Sequence, residues 1–143
     1  MALNFIHPVQ RATHRIGLYL DDLREKQLTQ GEGHILAMLA ESSPATVADL
    51  HRGLAHKRST LTSILDRLVD RGLVTRKVGA VDRRTFVVTL TGKGRKLAHR
   101  VSRHLAKLER RVRRQVSTAD MKSFAKVLSI LETEANNRKR TVN

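Results

Sequence analysis

Asp82-Arg83-Arg84, with Lys77 a few residues earlier, lies in the segment VTRKVGAVDRRTFVVTLT, which otherwise reads as two β-branched stretches around a turn. Burying a charge is costly, so these cations must face water or an anionic partner. Upstream, Arg58, Ser59, Thr60, Thr62 and Ser63 crowd the start of a helical pattern: small hydroxyls that bond at close range, and one long cation. Such a set suits base-pair edges in a major groove, where donors and acceptors are read at hydrogen-bond distance. Arg67, further along the same helix, is better placed for a phosphate. Asp82, two residues before Arg84, can brace that guanidinium while Arg84 or Arg83 enters a minor groove, where the potential is most negative. Taken alone, the run is equally a solvated turn with a weak salt bridge.

Other chemistries have less support. Among seven His, the pairs His51 and His56, and His99 and His104, are each five residues apart. Ligands on one helix face recur at a spacing of four, and no carboxylate accompanies either pair, so solvated or phosphate-proximal histidines are expected and no metal. The chain has no Cys, which removes disulfides, thiol redox sensing, cysteine nucleophiles and thiolate zinc sites together. There is no Gly-rich phosphate loop, nucleophile elbow or paired carboxylate. The chain is not expected to be an enzyme or to need a cofactor.

The charge balance points the same way as the arginines. In 143 residues, 28 Lys and Arg oppose 13 Asp and Glu, for a net charge of +15, more than solubility needs. Such a surface favours a polyanion. Three Phe, one Tyr and no Trp leave few platforms for stacking single-stranded bases. No run approaches membrane-spanning length and MALNFIHPVQRATHR lacks a signal-peptide core, so a cytoplasmic protein with no membrane partner is expected.

The elements that must hold these groups follow from periodicity. Ile6, Val9, Ile16, Leu20 and Leu23 form a narrow apolar seam, which suits helix pairing as well as an ordinary amphipathic helix. Thr29-Gln30-Gly31-Glu32 reads as a capping box opening a second helix, ended by Ser42-Ser43-Pro44. Thr46, with Asp49 three residues on, caps a short helix through Leu54. Ala55-His56-Lys57 is a tight break before a helix from about Arg58 to Arg71, buried along Leu61, Ile64, Leu65 and Leu68 and stopped by Gly72. Residues 73–78 and 84–90 then make a hairpin, with Phe86, Val88 and Leu90 alternating along one side. Thr91-Gly92-Lys93-Gly94 caps a long helix whose core side is Leu97, Val101, Leu105, Leu108, Val112 and Val116. A last helix begins at Ser117-Thr118-Ala119-Asp120, with Met121, Phe124, Leu128 and Leu131 inward. A polar, frayed tail is expected over 136–143.

Two short helices joined by a tight turn and followed by a charged hairpin make a winged helix-turn-helix, whose second helix enters the major groove. The fold class is mainly α with a small β-hairpin, one domain overall. Its regions are an N-terminal dimerisation helix over 1–28, the DNA-binding region over 29–92 and C-terminal dimerisation helices over 93–143. The long helix carries ten Lys and Arg between Lys93 and Arg114 against Glu109 alone. That face is either solvated or an extra contact to flanking DNA.

The stretches LTQGEGHILAMLAE and TVADLHRGLAHKRSTLTSILDRLVDRGLVTRKVGAVDRRTFVVTLTGKGRKL resemble the multiple-antibiotic-resistance (MarR) type of bacterial transcription regulator, from about Leu28 to Leu97. The most specific parts are RSTLTSILDRLVDRGLV, the DRR tip and the closing LTGKG. The resemblance implies an obligate homodimer held by its terminal helices, each subunit offering one winged helix to a pseudo-palindromic site. It implies that Arg84 reads the minor groove with Asp82 in support, and that a small phenolic or lipophilic effector acts in many relatives. Ser63 departs from the pattern, since many relatives carry a long basic residue there.

The expected function is a homodimeric, sequence-specific regulator of double-stranded DNA, a ligand-responsive repressor. The alternative is a basic nucleoid-type protein that coats DNA with little sequence preference. The DNA-binding set is Arg58, Ser59, Thr60, Thr62, Ser63, Arg67, Lys77, Asp82, Arg83 and Arg84. The dimerisation set is Ile6, Val9, Ile16, Leu20, Leu23, Val112, Val116, Phe124 and Leu128.

Overall fold

A computed structural model describes residues 2–25 and 28–137, so part of the tail expected to fray, 138–143, lies outside the described residues. Helix α1 spans Ile6–Leu20 and runs into a single 3-10 turn at Asp21–Leu23. Helix α2 is Gln30–Glu41, strand β1 Ala45–Thr46, helix α3 Val47–Leu54 and helix α4 Arg58–Asp70. Strands β2, Val74–Val78, and β3, Phe86–Leu90, precede the long helix α5, Gly92–Arg113, and the last helix α6, Thr118–Asn136. The chain forms two compact units, Met1–Leu105 and Ala106–Asn143, with the boundary inside α5.

Local signals place most of these boundaries. Thr46 Oγ1 accepts the Asp49 N–H at 3.0 Å and Asp49 Oδ2 accepts the Thr46 N–H at 3.3 Å, a complete capping box at the start of α3. Thr29 makes only half of one. Its hydroxyl accepts the Glu32 N–H at 3.2 Å, but the Glu32 carboxylate turns inward and does not return to the cap. Gly72 ends α4 at φ +70°, a conformation that favours glycine.

The sheet has the order β1-β3-β2 and is antiparallel throughout. β2 and β3 pair from Val74 opposite Leu90 to Val78 opposite Phe86, as a hairpin. β1 was not legible in the sequence: two residues show no alternation, and its partners Val88 and Val87 lie more than forty residues away. Val88 and Leu90 are buried, but Phe86, expected on the same side, is 49% exposed. The hairpin outruns the core at that point, and the ring lies under the Arg76 guanidinium, 5.7 Å from its centre.

In the first unit, Leu61, Ile64, Leu65 and Leu68 of α4 pack with Ile35, Leu36 and Leu39 of α2 and with Leu97, Ala98 and Val101 of α5. Each buried leucine contributes roughly 1.5–3 kcal/mol. Thr91 secures the start of α5: its hydroxyl accepts the Gly94 N–H at 3.0 Å and donates to the carbonyl of Gly72 at 2.7 Å. Gly94 sits so close to the Leu73 carbonyl that an added Cβ would lie 1.7 Å from that oxygen.

The apolar seams divide differently from expectation. Leu20 is buried in the chain's own core, and Leu23 packs against that core. Ile6 and Val9 are half-buried and Ile16 is exposed, as are Leu3, Phe5 and Leu18. In the second unit no residue of α6 is buried, so Met121, Phe124, Leu128 and Leu131 do not form an interior within the chain. Leu128 is half-buried, while Phe124, Val127 and Ile130 are about half exposed, and Val112 and Val116 are exposed at the end of α5 and just beyond. Two helices alone cannot cover each other's apolar faces.

Candidate nucleic-acid interface

The turn between α3 and α4 is set by Ala55, which takes the left-handed conformation at φ 53° and donates its N–H to the His51 carbonyl at 3.1 Å. Lys57 at the N-cap of α4 offers no side-chain acceptor, so the helix begins with uncapped amides next to Arg58, Ser59 and Thr60. These three, with Thr62 and Ser63, are all exposed. Ser63 differs from the others in donating its hydroxyl proton to the Ser59 carbonyl at 3.1 Å.

Arg67, expected to face a phosphate, is half exposed and has its Nε bonded within the chain. Its Nε donates to Glu32 Oε1 at 2.9 Å, and Arg71 Nη1 donates to Glu32 Oε2 at 3.1 Å. Glu32 is 1% exposed, so its carboxylate is held in the interior by two guanidinium groups. Glu25 adds ion pairs to Arg71 at 3.4 Å and to Arg100 at 3.5 Å. Only the partners' distance along the chain hid this cluster, since Glu32 reads locally as part of a cap.

The wing is a hydrogen-bonded turn. Gly79 N–H donates to Thr85 O at 2.8 Å, and the Thr85 hydroxyl donates to Asp82 O at 2.8 Å. Asp82 Oδ1 accepts the backbone N–H of Arg84 at 2.9 Å. The carboxylate therefore shapes the turn and is not bonded to the Arg84 guanidinium, which corrects the expected bracing. Arg83, Arg84 and Lys77 are exposed. Arg76, not among the expected contacts, pairs with Asp66 of α4 at 3.5 Å and ties the wing to the helix beside it.

One cleft joins the two parts. Arg58 and Thr62 of α4 line it together with Arg84 and Phe86 of the wing and with His51 and Arg52 of α3. Lys77, Arg83, Ser59, Thr60 and Ser63 lie outside its lining. His51 and Arg52 were not among the expected contacts, although their place at the end of α3 was legible. Arg52 pairs with Asp49, whose carboxyl is held below its ordinary range by the bonds to Thr46 and then by Arg52.

His104 is not a solvated side chain. Its ring stacks on Tyr19 with centres 3.9 Å apart, and its Nε2 lies 2.8 Å from the Tyr19 carbonyl. Among the described residues, no group of three or more His, Asp and Glu is gathered to hold a metal ion, and no helix is long and apolar enough to cross a membrane.

The helix-turn-helix and most of its wing coincide with residues 28–86, which match the MarR family model. Over that stretch the chain is similar to the MarR family. Members of this family are transcription regulators, not enzymes. The chain is 27% identical over 120 residues to the homoprotocatechuate degradative operon repressor of Escherichia coli, covering 84% of this chain and 81% of that one. Its fold is that of S. aureus MepR in complex with DNA, at a TM-score of 0.79 and 21% identity, over 94% of this chain and 99% of MepR. It is also that of Bordetella bronchiseptica BpsR, whose structure concerns regulation of DNA binding by 6-hydroxynicotinic acid, at a TM-score of 0.72 and 21% identity over 91% and 94%. Within this MarR-type winged helix, α4 is the second helix of the helix-turn-helix and the β2–β3 hairpin is the wing.

Proposed function

We propose that two copies of this chain pair and bind a pseudo-palindromic site in double-stranded DNA as a sequence-specific repressor. The observation that carries this reading is the shared cleft, in which Arg58 and Thr62 of α4 and Arg84 of the wing converge. Helix α4 enters the major groove and presents Arg58, Ser59, Thr60 and Thr62 to base edges. Arg84 enters the adjacent minor groove, with Asp82 fixing the turn that carries it, while Arg83 and Lys77 face phosphates. The uncapped amides at the start of α4 add donors for the backbone.

Pairing is supported by the exposed apolar residues of each unit, Leu3, Phe5, Ile16 and Leu18 in one and Val112, Val116, Phe124, Val127 and Ile130 in the other. A second copy supplies the missing cover, and two-fold symmetry matches a two-fold operator. The repressor named for homoprotocatechuate degradation and the regulation of BpsR by 6-hydroxynicotinic acid support a small-molecule effector for this chain as well. A repressor of this kind acts in the cytoplasm.

The net charge of +15 favours a second reading, a coat protein that binds all DNA alike. Selection of bound duplexes from a random pool separates the two. The regulator recovers an inverted repeat with half-site centres about 10 bp apart. It binds that repeat on the order of a thousandfold tighter than random duplex at physiological salt. Equal binding to every duplex would leave only the coat protein.

A further inference from the structure

Helix α4 is gripped along a stripe that faces away from Arg58, Ser59 and Thr62. Gly31 of α2 lets Ile64 approach so closely that an added Cβ would lie 2.7 Å from Ile64 Cδ1. The next residue, Glu32, takes Arg67 and Arg71 on its two carboxylate oxygens at 2.9 and 3.1 Å. Positions 64, 67 and 71 fall on one side of a helix with 3.6 residues per turn, and Arg58, Ser59 and Thr62 fall on the other. Ile64, Arg67 and Arg71 therefore all meet α2 at the adjacent residues Gly31 and Glu32.

We propose that Glu32 is a positioning residue for sequence recognition, setting the roll of α4 about its own axis through Arg67 and Arg71. The inference rests on α4 being the helix that enters the major groove. Apolar burial is non-directional, so the leucines of α4 fix its depth better than its rotation. Charge-assisted hydrogen bonds from two guanidinium groups to one carboxylate depend on direction as well as distance, and a roll of α4 moves both donors at once. Burial of the Glu32 carboxylate makes losing a partner costly, because the buried charge is then left uncompensated. The backbone of Glu32 is itself fixed by the Thr29 hydroxyl, and Glu25 extends the chain of ion pairs from Arg71 to Arg100 of α5. Arg67 thus serves DNA through Glu32, and not as a phosphate ligand.

The test uses the full chain, a duplex selected from a random pool and a random duplex of equal length. Glu32→Gln removes a negative charge from a DNA-binding protein, so charge alone predicts tighter binding. Positioning predicts the opposite: affinity for the selected duplex falls roughly tenfold, and its ratio to random duplex falls with it. Arg67→Gln narrows the ratio similarly while the dependence of log affinity on log salt keeps its wild-type slope. The double variant is no worse than Glu32→Gln by more than about twofold, because the two side chains act as one unit. Circular dichroism melts establish folding, and Arg67, half exposed, carries the test if Glu32→Gln does not fold.

The inference is overturned if Glu32→Gln binds the selected duplex as tightly as wild type, or if Arg67→Gln flattens the slope by about one phosphate contact. A wild-type chain that does not discriminate between duplexes would overturn the regulator reading first, and this inference with it.

Discussion

Asp82 holds Arg84 by its backbone: the carboxylate accepts the Arg84 N–H at 2.9 Å and is not bonded to the exposed guanidinium. The same geometry is open to asparagine, whose Oδ1 accepts equally well and whose side chain favours such turns. Asp82→Asn is therefore expected to bind cognate DNA at least as tightly as wild type, having lost a negative charge near phosphate. Asp82→Ala loses the turn and should cost about 1 kcal/mol of specific binding. Titration of both variants against one duplex decides the matter. Equal losses would mean that the carboxylate pairs with the guanidinium once DNA is bound.

Arg84→Ala should cost roughly 1–3 kcal/mol against the selected duplex, if the side chain reads the minor groove. The loss should be largest for sites with a narrow, A·T-rich minor groove beneath the wing, where the potential favours arginine. A loss that is the same on every duplex would reassign Arg84 to a phosphate.

Dimerisation is testable on α6, where Phe124 and Val127 are about half exposed and cost the single chain little when changed. Phe124→Glu with Val127→Glu should give a folded monomer by light scattering, because two charges per copy would be buried in the paired state. Binding to a palindromic duplex should weaken sharply, while binding to random DNA falls less. A double variant that remains a dimer would move the interface to the exposed residues of α1.

Local signals made much of this fold legible. Thr46 with Asp49, Gly72 after α4, and Thr91 before α5 each act through neighbours within a few residues, and each lies where the sequence put it. The buried stripe of α4 was equally plain from its spacing. The misses involve distant partners or the reach of the core. Glu32 looks like a capping residue until Arg67 and Arg71 arrive from 35 and 39 positions away. Strand β1 exists only because Val87 and Val88 lie beside it. Phe86 alternates correctly with Val88, but the core ends before reaching it. In the candidate interface, residue types identified Arg58, Thr62 and Arg84, while the inclusion of His51 and Arg52 in their cleft required the fold.

Two glycines at the start of α5 make a matched pair for stability. A Cβ on Gly94 would lie 1.7 Å from the Leu73 carbonyl oxygen, whereas one on Gly92 meets nothing within 4 Å. Gly94→Ala must push α5 off the start of β2 and is expected to lose at least about 3 kcal/mol in a denaturant melt. Gly92→Ala should be neutral or slightly stabilising. Similar losses in both would place the requirement in backbone freedom and not in the close approach.

The capping boxes give the chain an acid-sensitive component. Asp120 at the start of α6 is held below its ordinary range by bonds with Ser117, as Asp49 is by Thr46. A carboxyl whose folded value is depressed contributes stability above its unfolded value and loses it as pH falls through the folded one. Melting temperature should thus drop below the ordinary carboxylate range, and the drop should be shallower in Asp49→Asn with Asp120→Asn. An unchanged acid limb would assign the loss to other carboxylates.

The hydroxyls at the start of α4 divide into two classes that binding should tell apart. Ser59 and Thr62 are exposed, and their hydroxyls make no hydrogen bond among the described residues, so both donor and acceptor are open to a base. Ser63 has already donated its proton to the Ser59 carbonyl at 3.1 Å. Replacing Ser59 and Thr62 together by Ala should narrow the gap between selected and random duplex by roughly 10- to 100-fold, with random binding little changed, because base contacts specify and phosphate contacts do not. Ser63→Ala should lose much less, since it gives up an acceptor but no free donor. It should also slightly favour the helix, where a back-bonded serine is mildly destabilising. If Ser63→Ala proves the more damaging, its hydroxyl leaves the Ser59 carbonyl in the complex, and α4 reads DNA further along its length than the cleft with Arg84 implies.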